Sequence, residues 1–150
     1  MNSPWADLLL VEDDPAYVEL TLNALRRANL NFQIHVARDG FEALNFLFCR
    51  ENFEHRSFNH PPRVVLLDLN LPGVDGFQVL REVKADHRTK SIPVVILTSS
   101  GMDGDVIASY GLGANSYVQK PLDFAKFREA VKQLSTYWLQ LNHAPPASSA

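Results

Sequence analysis

Only one cysteine, Cys49, occurs in the chain. One thiol cannot close an internal disulfide, so a reducing compartment, the cytoplasm, is the expected setting. Cys49 follows "FLF" and reads as a core or near-surface thiol. No apolar run approaches the ~18 residues of a membrane span. The opening "MNSPWADLLLVEDD" lacks the basic stretch and long apolar segment of a signal peptide. Charge of one sign is also scarce. Lys and Arg number 14 against 17 Asp and Glu, a net charge of −3, which argues against a general nucleic-acid binder. There is no internal repeat, and the short linkers leave no room for a second domain. The first apolar run, "LLLV", is followed by "EDDP" rather than by glycines. A flavin- or nucleotide-binding fold would want a glycine loop there to cradle phosphate.

What remains is ordinary globular material. Apolar residues make up 46% and charged residues 21% of 150, enough for one domain with one good core. The informative stretch is "VVLLDLNLPGVDG", residues 64–76. An unbroken apolar run is a strand buried on both faces. Its first polar residue, Asp68, should stand where the strand leaves the sheet. In open α/β sheets, ligands bind outside the carboxyl ends of the strands.

The other segments fit the same scheme. "DLLLV" (7–11) is a first strand. Asp14 as N-cap and Pro15 at the first helical position then open a helix carrying Val18, Leu22 and Leu25. "NFQIHVA" (31–37) alternates like a half-buried edge strand, and 39–48 reads as a second helix. Residues 49–62 are polar, end in two prolines and read as a long loop. Strand 63–68 is followed by a helix over 77–85, strand 93–98 and a short helix closed by Gly111 and Gly113. "SYVQKP" is the last strand. Phe124, Phe127, Val131, Leu134 and Trp138 then form the apolar stripe of a helix over 123–140. The tail, 141–150, is expected to be flexible, leaving 1–140 as the domain. Five strands alternating with five helices imply a doubly wound parallel α/β sheet, order 2-1-3-4-5, the flavodoxin-like arrangement.

That order collects the polar strand ends. Glu12, Asp13 and Asp14 follow the first strand, Asp68 and Asn70 the third, Thr98 the fourth and Lys120 the fifth. Clustered carboxylates repel and need a cation. Oxygen ligands with space for water suit Mg²⁺. A metal-bound carboxylate beside an ammonium and a hydroxyl is arranged for phosphoryl chemistry, with Asp68 as nucleophile and Thr98 and Lys120 on the phosphoryl oxygens. Asp13 should point into the crevice, with Asp14 at the helix cap. Each feature alone is an ordinary cap or turn; five in order at strand ends are not. His35, His55, His60, His87 and His143 are scattered and read as surface or structural, since His55 and His60 lack a third ligand.

With these residues placed, the chain resembles the receiver domain of two-component response regulators over about residues 6–140. Four motifs carry the resemblance in family order: "LLLVEDD", "LLDLNLPGVDG", "ILTSS" and "YVQKP". It implies that Asp68 accepts a phosphoryl group from a histidine kinase. It also implies that Mg²⁺ is held by Asp13, Asp68 and the Asn70 backbone carbonyl, with Glu12 acting through water. Tyr117 matches the family's aromatic switch position, paired with Thr98. Limited Mg²⁺-dependent self-phosphorylation and autodephosphorylation are then expected, but not the turnover of an enzyme. The long 49–62 loop, "DVIASYGL" and the closing "YWLQL" further resemble the small regulators that partner bacterial and cyanobacterial phytochromes.

Two rivals stand beside this. A phosphatase of the haloacid dehalogenase type needs a second Asp two residues after its nucleophile; Asn70 stands there and cannot do acid–base work. A phosphorylation-independent binding module would have no need of Glu12, Asp13, Asp68, Thr98 and Lys120 together. The expected partners are therefore proteins, not nucleic acid or membrane. Tyr137 and Leu141 fall partly off the core stripe near its C-terminal end, and Tyr110 lies nearby on the fourth helix. They suggest a homodimer through the face of the fourth helix, fifth strand and fifth helix.

Overall fold

Apolar four- and five-residue runs set the frame of the fold. The computed structural model describes residues 5–28 and 31–146. In it "LLLV", "VVLL" and "VVILT" become β1 (Leu8–Val11), β3 (Val64–Leu67) and β4 (Val94–Thr98), every residue of them buried. The flanking strands, β2 (Ile34–Ala37) and β5 (Ser116–Gln119), are only half-buried over most of their length. Exposure therefore follows position in the sheet, whose order is β2-β1-β3-β4-β5 with all pairs parallel.

The helices alternate with the strands: α1 (Pro15–Arg27), α2 (Gly40–Leu47), α3 (Gly76–Ala85), α4 (Asp103–Gly111) and α5 (Phe124–Ser135). Four of them start on an aspartate. Asp14, Asp39, Asp75 and Asp123 accept hydrogen bonds from the backbone N–H of Ala16, Glu42, Gln78 and Lys126, each cap stabilising its helix by about 1 kcal/mol.

Alternation along the strands divides the core in two. Leu9, Val11, Val65, Leu67, Val94 and Ile96 pack with α2 and α3 residues such as Leu44, Phe46, Leu80 and Val83. Leu8, Leu10, Val64, Leu66, Val95 and Leu97 pack on the other face with Leu25 of α1 and Phe127 and Val131 of α5.

Several expectations are corrected. The closing helix is α-helical only to Ser135; Thr136–Leu141 is a π-helical turn. Residues four apart drift around an α-helix, and the wider π turn takes that drift back. The core positions are therefore Phe127, Val131, Ser135 and Leu139, whereas Leu134 and Trp138 are half-buried and Phe124 is 57% exposed. Arg63 Nη1 donates to the Leu139 carbonyl at 2.7 Å, satisfying an acceptor in this turn. Gly111 ends α4 from within; Gly113, at φ +105°, is the residue in the left-handed region after it. The second strand begins three residues later than the pattern suggested, because Asn31, Phe32 and Gln33 precede the ladder.

The 49–62 segment is less solvated than its composition implied. It holds a 3₁₀ turn, Glu51–Phe53, and buries Arg56, whose guanidinium centre stacks 3.6 Å from the Phe46 ring centroid. Arg56 also donates to the carbonyls of Phe46 and His60. Cys49 is half-buried beside it. The expected tail falls partly outside the described residues. Of its described part, Leu141 completes the π turn and Asn142 donates to the Tyr137 carbonyl at 2.6 Å. Among the described residues no helix is long and apolar enough to cross a membrane.

Candidate functional site

Register brings the strand ends together. Val11 pairs with Leu67, so Glu12 and Asp68 emerge side by side one residue further on. Thr98 pairs with Gln119, so Lys120 follows at the same edge. The ladder continues into the site: the Asp68 amide donates to the Val11 carbonyl at 3.1 Å and the Lys120 amide to the Thr98 carbonyl at 2.7 Å.

At the centre, Lys120 Nζ donates to Glu12 Oε1 at 2.5 Å and to Asp68 Oδ2 at 2.9 Å. All three side chains are less than a tenth exposed. Asp68 Oδ1 accepts from the Asn70 amide at 3.1 Å, and Glu12 Oε2 from the Asp14 amide at 3.1 Å. Burial pushes the Glu12 carboxyl up to about 6, against the hydrogen bond and charge of Lys120, while the Asp68 charge adds to the rise. Burial alone would pull the Lys120 ammonium down. Its hydrogen bonds and its attraction to Glu12 and Asp68 outweigh that and hold it above the ordinary lysine range.

Asp13 completes an acidic group. One carboxylate oxygen from each of Glu12, Asp13 and Asp68 lies within 4.8 Å of the others. Asp13 is exposed, whereas Asp14 serves as the α1 cap. Three carboxylates against one ammonium leave an excess of negative charge. An oxygen-only donor set open on one side fits a hard divalent cation that retains water.

Thr98 and Tyr117 approach from the other side of the sheet. By alternation Thr98 shares the face of Val94 and Ile96, while Asp68 shares that of Val64 and Leu66. Thr98 is fully buried and its Oγ1 has no hydrogen-bond partner, a costly state for a hydroxyl unless something is to engage it. The Tyr117 hydroxyl instead donates to the Ser100 carbonyl at 2.9 Å, and Ser100 Oγ donates to Asp105 of α4 at 2.5 Å. The structure thus gathers Glu12, Asp13, Asp68 and Lys120 into one cluster. It sets Asn70 at the rim and leaves the hydroxyls of Thr98 and Tyr117 unbonded to the side chains of that cluster.

Two further residues matter that sequence reasoning passed over. A Cβ on Gly76 would lie 2.2 Å from the Asp68 carbonyl oxygen and 2.6 Å from Leu69 Cα, so only glycine lets α3 start against the strand end. Its signal was present in "PGVDG", where a glycine at a helix start asks for a packing reason. Tyr17 lies over Lys120, its ring centroid 4.0 Å from Nζ; no sequence spacing announces a contact between positions so far apart.

The chain is 42% identical over 138 residues to the "Probable methanogenesis regulatory protein FilR2" of Methanothrix harundinacea, covering 92% of this chain and 86% of the relative. It is 37% identical over 147 residues to "Response regulator Rcp1" of Synechocystis, covering 97% of each. The crystal structure of the Mn²⁺-bound form of Rcp1 superimposes with a TM-score of 0.85, over 92% of this chain and 97% of that one. The phosphorylated cyanobacterial phytochrome response regulator RcpA, 35% identical, superimposes at 0.87 over 94% and 99%. Residues 8–132 match the response regulator receiver domain. With the acidic strand ends, the buried lysine and the 2-1-3-4-5 sheet already in place, the chain belongs to the response regulator receiver domain family.

Proposed function

We propose that Asp68 accepts a phosphoryl group from the phosphohistidine of a histidine kinase. The observation that carries this is the Asp68 carboxylate itself. It is buried at a strand end, clamped by Lys120 and the Asn70 amide, and within reach of two further carboxylates. An Asp68 oxygen forms the new O–P bond as the P–N bond breaks, and the electron pair leaves with the imidazole nitrogen. Asp13, Asp68 and the Asn70 carbonyl would hold Mg²⁺, with Glu12 acting through water. When bound, the cation supplies charge neutralisation at the phosphoryl oxygens. Lys120 and the Thr98 hydroxyl take the phosphoryl oxygens from opposite faces of the sheet. The unpartnered Thr98 Oγ1 supports that role. Its movement frees space for Tyr117 to leave Ser100, which links the site to α4. Slow self-phosphorylation by small donors and autodephosphorylation follow from the same groups.

The functional unit is the receiver domain, closed by the π turn that runs to Leu141, working in the cytoplasm. Its output is contact with proteins. The likeness to RcpA supports a phytochrome kinase as donor. A second copy is the partner that best fits the α4–β5–α5 face. Ile107 and Tyr110 on α4 are exposed there, as are Tyr137 and Leu141 on the closing turn. Beside them runs a groove of about 460 Å³ lined by Val118, Ala130, Leu134 and Trp138.

The test is incubation with Mg²⁺ and acetyl phosphate followed by intact mass. One added phosphoryl group is expected on the parent and none on Asp68→Asn; labelling of the variant at the parental rate refutes the assignment.

A further inference from the structure

The reading of Asp68 as phosphoryl acceptor leaves one contact of its lysine unexplained. Lys120 Nζ makes two hydrogen bonds, to Glu12 and Asp68, and an ammonium has three donors. No third acceptor is found among the described residues. The Tyr17 ring lies over the same nitrogen, its centroid 4.0 Å away. The ring is held in turn by an edge contact with Phe127, centroids 5.1 Å apart at 62°, and Phe127 is fully buried. Tyr17 stands in the first turn of α1, three residues beyond the Asp14 cap.

We propose that Tyr17 is a positioning residue for phosphoryl acceptance: its ring face orients the Lys120 ammonium toward Asp68 and the incoming phosphoryl oxygen. The proposal rests on Asp68 being the acceptor and adds a residue to that same site. The chemistry asks for such a neighbour. When Asp68 becomes an acyl phosphate, negative charge moves from the carboxylate to the phosphoryl oxygens. Lys120 must then pass its hydrogen bond from Asp68 Oδ2 to one of them. An acidic neighbour in place of the ring would compete for the ammonium throughout that transfer. The face of an aromatic ring attracts a cation and excludes water, yet offers no strong acceptor that the N–H must abandon. Its hold is also directional, since the ring is locked by Phe127.

The plain alternative is that Tyr17 only fills space between α1 and α5, which any apolar side chain of similar size would do. Fluorination separates the two, because it weakens the negative ring face while changing shape little. The full chain with saturating Mg²⁺ is labelled by acetyl phosphate, and the rate is followed by intact mass. Tyr17→Phe is expected to stay within about threefold of the parent and Tyr17→Leu to fall about tenfold. Phenylalanines carrying one, two and five fluorines at position 17 should slow labelling stepwise, with Mg²⁺ affinity unchanged. A Leu variant as fast as the Phe variant, or a rate indifferent to fluorine, overturns the role of Tyr17. Should Tyr17→Leu fail to fold, the fluorinated series decides alone. Failure of the parent to be labelled at Asp68 overturns the acceptor reading and this proposal with it.

Discussion

Replacing Lys120 by methionine tests the electrostatic core of the site directly. The side chain keeps its length and loses its charge, leaving Glu12 and Asp68 buried without their cation. Removing one partner of a buried ion pair costs about 3–5 kcal/mol, because the remaining charge stays desolvated. Here two carboxylates are abandoned, each less than a tenth exposed. The loss has a pH signature whose sign follows from Glu12. Its carboxyl is already raised from an ordinary 4.5 to about 6 by burial, so the folded state keeps a proton that the unfolded chain has released. In the parent, without divalent metal, Glu12 therefore favours folding fully below about pH 4.5, and that contribution is lost as pH rises through 6. That rise of the Glu12 carboxyl corresponds to about 2 kcal/mol. In Lys120→Met the two opposing influences of the lysine are gone, so the Glu12 carboxyl rises further and the window extends toward neutrality. Urea unfolding in EDTA should show a deficit of about 3 kcal/mol at pH 7 and a smaller one at pH 5, where Glu12 is largely neutral in both folded proteins. Saturating Mg²⁺ should narrow the deficit at pH 7, since a dication beside the carboxylates replaces the lost charge. A variant as stable as the parent at pH 7, or a deficit equal at both pH values, would refute the reasoning.

Two other substitutions probe how the site is held. Gly76→Ala sets a methyl against the Asp68 carbonyl and Leu69 Cα, backbone atoms that cannot turn aside. It should cost about 1–3 kcal/mol in urea unfolding and slow labelling by acetyl phosphate, whereas parental stability would show that the α3 start yields freely. Leu139→Ala should cost about 2–5 kcal/mol, against well under 1 kcal/mol for the exposed Leu141→Ala; equal losses in thermal or urea unfolding would put the π turn in the wrong register.

Much of this protein was legible in its residues. Buried strands must be apolar at every position, so "LLLV", "VVLL" and "VVILT" declare themselves. The first polar residue after such a run must lie at the sheet edge, which places Glu12, Asp68 and Thr98 there. Asp14 before Pro15 announced a cap because the chemistry of a helix start is local. Tertiary structure decided what no local rule reaches. The side of the sheet from which each group approaches follows from strand register and parity together, and these separate Asp68 and Lys120 from Thr98 and Tyr117. The drift of an α-helical stripe looked continuous through Trp138. Only packing against the sheet, with Arg63 satisfying the Leu139 carbonyl, favours a π turn that puts Leu139 inside instead. Arg56 reads as a solvated loop charge until Phe46 supplies a ring to stack on and two carbonyls accept its donors. The meeting of Tyr17 with Lys120, 103 positions apart in the sequence, depends on α1 and α5 closing over one face, a long-range contact that spacing along the chain does not encode.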